Sequence, residues 1–192
     1  NVNVIAVEPV PTTFSWLQKN INLNKFEKCV KGINIGLADQ KGDLFFSSNL
    51  DTLNHVVPHQ ENNKSTVKVE IKKLDDILDK KCPSIIKIDV EGYEFQVLNG
   101  AKDTLDNQEL IAVIIELNGS GKRYGVDDSK IHELLLSKNF KTFKYEPLKR
   151  QLIELKGKFN SKGNTIYLRK LNEVERRISK NIKHKLSTGQ KI

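Results

Sequence analysis

The sequence predicts an α/β domain: a mixed, mostly parallel sheet flanked by helices, with an antiparallel pair of strands at its C-terminal end. Three observations predict it. Two apolar runs, Ile85–Val90 and Leu110–Leu117, end abruptly in acidic residues, as strands buried in a parallel sheet do where they surface. Strand-like runs alternate with segments whose apolar residues recur at helical spacing. Near the C-terminus, Phe140–Tyr145 and Thr165–Leu168 are joined by a glycine-containing polar stretch, the pattern of an antiparallel pair.

In chain order, Val2–Val7 is expected to be a buried strand ending at Glu8-Pro9. Pro11-Thr12-Thr13 then opens a helix with Phe14, Leu17 and Ile21 on its apolar face and Trp16 as a further candidate. Val30–Leu37 alternates as one strand, and Gly42 turns the chain into Leu44-Phe45-Phe46. Residues 49–66, rich in Asn, Ser and His, form a long polar insertion. Val67–Ile71 alternates as a half-exposed strand, and Leu74, Ile77 and Leu78 mark a short helix before Pro83. After the Ile85–Val90 strand, Phe95, Val97 and Leu98 sit on a helix. Gly119-Ser120-Gly121 is expected as a flexible loop, followed by a helix carrying Ile131, Leu134, Leu135 and Leu136.

Composition narrows the function classes. At 192 residues, 38% hydrophobic and 29% charged, the chain suits one well-packed domain, and no apolar run is long enough to span a membrane. Cys29 and Cys82 form neither a disulfide framework nor a zinc motif, so a reducing, cytoplasmic setting is the default expectation. The net charge is +8, of which residues 169–192 supply +6 and the rest of the chain +2. The domain is therefore taken as 1–168, with 169–192 a basic amphipathic helical tail in which Leu171, Val174, Ile178, Ile182 and Leu186 recur at helical spacing. A docking or solvated helix is favoured there over one that binds an anionic surface. The chain also lacks methionine and begins within a strand-like run, which suggests a missing N-terminal part.

The candidate chemistry lies at strand ends. An acid directly after a strand, as Glu8 is, can accept hydrogen bonds from both ribose hydroxyls of an adenosine cofactor, since two neighbouring donors want two acceptor oxygens. Asp39 ends the next strand, where it could line an adenine pocket or be a turn acid. In Asp89-Val90-Glu91-Gly92-Tyr93-Glu94, Gly92 permits a tight turn and Glu94 belongs to the first turn of a helix, a structural role. Asp89 or Glu91 could orient a substrate hydroxyl or act as general base. Glu116 and Asn118 close the neighbouring strand and should converge with Asp89. Three oxygens there could suit a hard divalent ion, but no full ligand set is visible and no metal is assigned. His55, His59, His132 and His184 show no paired ligand spacing, and His132 is expected on a helix surface.

Together these segments are recognisable. Val4–Pro11 with Phe14, Leu17, Asn20-Ile21 and Leu23-Asn24, then Leu74–Ile77, Ile86–Glu94, Val97–Ala101, Ile115–Leu117 and Asn164–Leu168, resemble the FkbM family of S-adenosylmethionine-dependent methyltransferases. The resemblance covers about residues 2–168 in the same order. It implies a Rossmann-like class I methyltransferase fold and methyl transfer, usually to oxygen, with a sugar or other small-molecule hydroxyl as acceptor. By the same analogy Glu8 would hold the ribose of S-adenosyl-L-methionine, Asp39 would lie near its adenine, and Asp89 would face donor and acceptor. Asp89 is the first choice for general base, with Glu116 second and Glu91 on the same edge.

One departure stands out. The glycine loop that such enzymes carry after their first strand does not precede Glu8, so an N-terminally incomplete domain, inactive by itself, is the expectation. A nicotinamide-binding module shares only the acid after the strand. A nucleic-acid methyltransferase would rest on the basic tail alone, which makes nucleic acid a disfavoured partner. A non-catalytic interaction domain on the same fold remains the third alternative.

Overall fold

A computed structural model describes residues 2–50, 54–57, 65–161 and 163–180. The elements run β1 (Val4–Val7), α1 (Pro11–Leu23), β2 (Val30–Ile33), β3 (Gly36–Leu37), β4 (Gly42–Ser47), β5 (Val56–Val57), β6 (Thr66–Lys72), α2 (Leu74–Leu78) and β7 (Ile85–Ile88). They continue with α3 (Glu94–Asn99), α4 (Lys102–Asp106), β8 (Ala112–Glu116), a 3-10 turn (Ser120–Tyr124), α5 (Asp128–Ser137), β9 (Lys141–Glu146), β10 (Gln151–Glu154), β11 (Asn164–Leu168) and α6 (Leu171–Lys180). The chain divides into two compact units, Asn1–Lys81 with Val90–Asp103, and Cys82–Asp89 with Thr104–Ile192.

The first unit holds a parallel β1–β2 pair and a four-stranded sheet in the order β3-β6-β4-β5. Proline at the first helical position suits α1, since its missing N–H would have no partner there and its φ is already helical. Ile21 is buried and Phe14 and Leu17 are half-buried, whereas Trp16 lies in solvent. The expected single strand over Val30–Leu37 is two strands in different sheets. Asn34 breaks it, because its side-chain amide donates to the carbonyls of Glu8 (2.8 Å) and Pro9 (2.9 Å) instead of continuing an alternating strand. The polar insertion is not all loop: Val56-Val57 pairs with Phe45-Phe46 of β4. β1 is a strand but not a buried one. Among the described residues it pairs only with β2, and Val4 and Ile5 stay exposed, as a two-stranded sheet buries little.

Close packing fixes the end of β3. A Cβ on Gly100 would run into the Ala38 carbonyl oxygen, so only glycine lets α3 end against this backbone. Asp75 of α2 joins the same corner: its N–H donates to the Gly100 carbonyl (3.1 Å), and its Oδ2 accepts from the Asp103 N–H (3.0 Å). The Leu74–Ile77 and Asn99–Ala101 motifs thus have a mutual packing explanation.

The second unit is built on a five-stranded sheet in the order β10-β9-β11-β8-β7. β7 and β8 are parallel, with Ile88 opposite Ile115, and the other neighbours are antiparallel. Over both units, five pairings among the described residues are antiparallel and three parallel, so the sheets are mixed, as expected, but not mostly parallel. The added antiparallel strand β10 lies in the polar stretch between the two expected terminal strands. Strand alternation gives the sheet two unlike faces. Val113, Ile115 and Tyr167 on one face are fully buried, as are Ile131 and Leu135 of α5. The other face carries Lys87, Ile114 and Glu116, none of them fully buried, and its far end is closed by Leu171 and Val174 of α6 against Ala112, Phe143 and Leu168. β7, expected to be buried, is an edge strand among the described residues, and its Ile85 is 60% exposed.

Two polar groups hold this unit together from within. His132, expected on the surface, is buried. Its Nδ1 bonds the Tyr167 hydroxyl (2.8 Å) and its Nε2 the Gly157 carbonyl (2.9 Å). Since that carbonyl can only accept, Nε2 carries a proton. Burial, with the Asp128 charge adding to it, pushes the Tyr167 hydroxyl far above its ordinary pKa. Arg169, counted with the basic tail by composition, is only 7% exposed. Its guanidinium donates to the carbonyls of Leu105, Asn107, Leu110 and Lys138 and lies 3.9 Å from the Phe140 ring centre.

Candidate active site

Glu8 stands where β1 ends. Its N–H donates to the Ile33 carbonyl (3.1 Å), extending the β1–β2 ladder by one residue, and its Oε1 accepts from the Val10 N–H (2.9 Å). That N–H belongs to the N-cap position of α1, which has no side-chain cap and no acid in its first turn. Glu8 is therefore the anion at the positive end of this helix. Partial burial pushes its carboxyl above the ordinary glutamate range, and the Val10 N–H opposes part of that rise. Oε2 has no hydrogen-bond partner among the described residues. The side chain is held, half-buried, with acceptor capacity left for a ligand.

Asp39 lies in the same unit, exposed, directly after the buried Ala38 that Gly100 holds in place. Glu91 and Glu94 belong to this unit as well. Glu94 is buried, and its Oε1 accepts from the N–H groups of Gly92 (3.1 Å) and Val90 (3.4 Å). Its structural role is therefore more definite than a favourable position at a helix N-terminus. The turn it holds bends sharply, with Glu91 at φ 50° and Gly92 at φ 102°.

Asp89 and Glu116 are brought together in the second unit. With Ile88 opposite Ile115 in a parallel pair, they are the next residues at the carboxyl ends of adjacent strands. Asn164, opposite Glu116 on β11, completes a polar edge across three strands. Asp89 is exposed and pairs with Lys87 Nζ at 2.8 Å. The sequence did hold a signal for that partner: Lys87 interrupts an apolar run two residues before Asp89, and strand alternation puts both on one face. An ion pair this exposed adds little to stability. Asn118, two residues beyond Glu116, is engaged locally. Its Oδ1 accepts from the N–H and hydroxyl of Ser120, which turns Gly119-Ser120-Gly121 from an expected loop into the start of a 3-10 turn.

Other candidates fall away or lie elsewhere. Among the described residues, no group of three His, Cys, Asp or Glu side chains could hold a metal ion. His59 and His184 lie outside the described residues, and His55 sits beside β5. A cavity of about 300 Å³ lined by Lys141, Phe143, Leu168 and Leu171 opens at the opposite end of the five-stranded sheet from Asp89 and Glu116. It cannot serve that edge. No helix among the described residues is long and apolar enough to cross a membrane.

Comparison with known proteins decides the family. Residues 2–142 match the methyltransferase FkbM domain. The chain belongs to the FkbM methyltransferase family. It is 29% identical over 136 residues to a hexuronic acid methyltransferase of Haloferax volcanii, covering 69% of this chain and 52% of that protein. A methyltransferase of Sordaria araneosa is 28% identical over 145 residues, covering 58% and 55%. The chain thus spans about half the length of the curated relatives it matches. The fold is similar to that of an FkbM methyltransferase from Methylobacillus flagellatus. The TM-score is 0.55 at 16% identity, over 87% of this chain and 36% of that one.

Proposed function

We propose that this FkbM-family chain serves methyl transfer from S-adenosylmethionine to a hydroxyl group of a sugar or other small molecule. The observation that carries the reading is Glu8, a half-buried carboxylate at the carboxyl end of a parallel strand, with one oxygen fixed by the Val10 N–H and the other without a partner among the described residues. This donor-seeking arrangement fits a ribose diol, and an oxygen already bonded to one N–H can still accept a second hydrogen bond. Asp39 is assigned to the adenine side. When bound, the cofactor supplies an electrophilic methyl group on a sulfonium.

The remaining work falls to the chain's own side chains. Transfer to a hydroxyl is an in-line displacement, so most of the acceleration is positioning. A carboxylate that takes the hydroxyl proton as the new oxygen–carbon bond forms adds general-base help. Asp89 is assigned that role and Glu116 the orientation of the acceptor, on the shared strand-end edge; Glu91 is the reserve candidate. The likeness to a hexuronic acid methyltransferase supports a sugar acceptor, uronic acids first.

The test is methyl transfer by the natural protein from labelled S-adenosylmethionine to uronic acids and other hydroxyl acceptors, with Glu8→Gln and Asp89→Asn in parallel. Glu8→Gln should raise the cofactor KM, and Asp89→Asn should lower kcat with the cofactor KM unchanged. Equal activity of both variants and the wild type would remove the residue assignments. Binding of a nicotinamide dinucleotide in place of S-adenosylmethionine would remove the reading itself.

A further inference from the structure

Helix α1 is apolar on two opposite sides. At about 100° per residue, Phe14, Leu17 and Ile21 point to one side, the buried or half-buried one. Trp16, Lys19 and Leu23 fall together on the other. There Trp16 is 65% exposed and Leu23 80% exposed, and Phe26, just past the helix end, is 50% exposed. A single exposed leucine needs no explanation, but a tryptophan, a leucine two turns on and a phenylalanine at the same end of one helix form a patch.

The patch has a basic rim. Lys19 Nζ lies 4.4 Å from the Trp16 ring centre, and Lys25 and Lys28, both exposed, follow in the connection that leaves the same end of the helix. Across residues 11–28 these three lysines stand against one acid, Glu27. We propose that this face of α1 rests on an anionic lipid surface. Tryptophan settles at the level of lipid headgroups, where its ring is half in apolar surroundings. Lysine stems lie along apolar surface while their ammonium groups reach the phosphates. Each base adds about a fivefold gain in binding to an anionic leaflet. A second copy of the chain is the poorer occupant, because a symmetric contact through this patch would set lysine against lysine. The inference does not depend on the methyl-transfer reading.

Trp16 is the only tryptophan in the sequence, so tryptophan emission, excited at wavelengths that the four tyrosines do not absorb, reports on this patch alone. The full chain is mixed with vesicles of phosphatidylcholine containing about 30% phosphatidylglycerol, and with pure phosphatidylcholine vesicles, at low salt. A blue shift of Trp16 emission is expected with the anionic vesicles, several-fold weaker with the neutral ones, and reversed by about 0.5 M salt as charges are screened. Lys19→Gln should weaken binding about fivefold. Leu23→Ser should remove most of the shift while the far-ultraviolet circular dichroism stays unchanged. Three results would overturn the proposal: no shift with anionic vesicles; co-sedimentation without a shift, which assigns binding to the basic C-terminal residues; or a shift that grows with protein concentration in the absence of lipid, which assigns the patch to a second copy.

Discussion

Glu8 and Glu94 are both carboxylates at strand-to-helix turns in the first unit, and they are spent differently. Glu94 is buried and uses one oxygen to hold the N–H groups of Val90 and Gly92, so it serves the turn it sits in. Glu8 is half-buried, makes one bond to Val10 N–H, and keeps acceptor capacity. The same side chain in the same kind of turn is thus structural in one place and a candidate ligand holder in the other. The number of its own backbone amides that it must satisfy separates the two cases.

The largest effect is expected from Glu94→Ala. Two buried or half-buried N–H groups lose their acceptor, and at about 1–3 kcal/mol for each unsatisfied group the loss should reach roughly 3 kcal/mol. Urea denaturation of the chain measures it, and a loss below about 1 kcal/mol would mean that the turn does not need this carboxylate. Gly92→Ala sharpens the same side of the comparison. At φ 102° a side chain is strained, so a cost of about 2 kcal/mol is expected in the same assay. Glu8→Gln should cost less than about 1 kcal/mol, because the amide oxygen can still accept from Val10 N–H. Yet the loss of a charged acceptor should weaken S-adenosylmethionine binding by the natural protein about tenfold, read by calorimetry. If Glu8→Gln instead unfolds the chain as Glu94→Ala does, the distinction between the two acids fails.

The smallest effect is one of pH. Burial raises the Glu8 carboxyl above the ordinary glutamate range, so in that window the folded chain binds more protons than the unfolded one. Stability from this group is therefore full below the ordinary range and is lost as pH rises through the raised value. The stability difference between wild type and Glu8→Gln, followed from acid upward, should shift against the wild type in that window.

Much of this comparison was legible in the sequence. The order of motifs gave the family, acids at strand ends marked Glu8, Asp89 and Glu116, and the position of Glu94 in a first helical turn marked it as structural. What stayed hidden was set by contacts distant in the chain. Alternation over Val30–Leu37 could not show that Asn34 turns aside to bind the Glu8 and Pro9 carbonyls. The helical spacing around His132 could not show a tyrosine 35 residues away waiting for its Nδ1. Apolar content suggested that β1 and β7 are buried, but burial depends on how many neighbours a strand acquires, and each has one strand beside it among the described residues.

Arg169 carries a consequence beyond packing. Its guanidinium gathers carbonyls from Leu105 to Leu110 and from Lys138, and its N–H donates to Ile111. If any one of these stretches frays, a buried charge loses part of its solvation, so partial opening is penalised more than the sum of its lost bonds. The residues around β8, the end of α5 and the exit of β11 are thereby tied into one cooperative unit, whose backbone amides should exchange with solvent together rather than segment by segment.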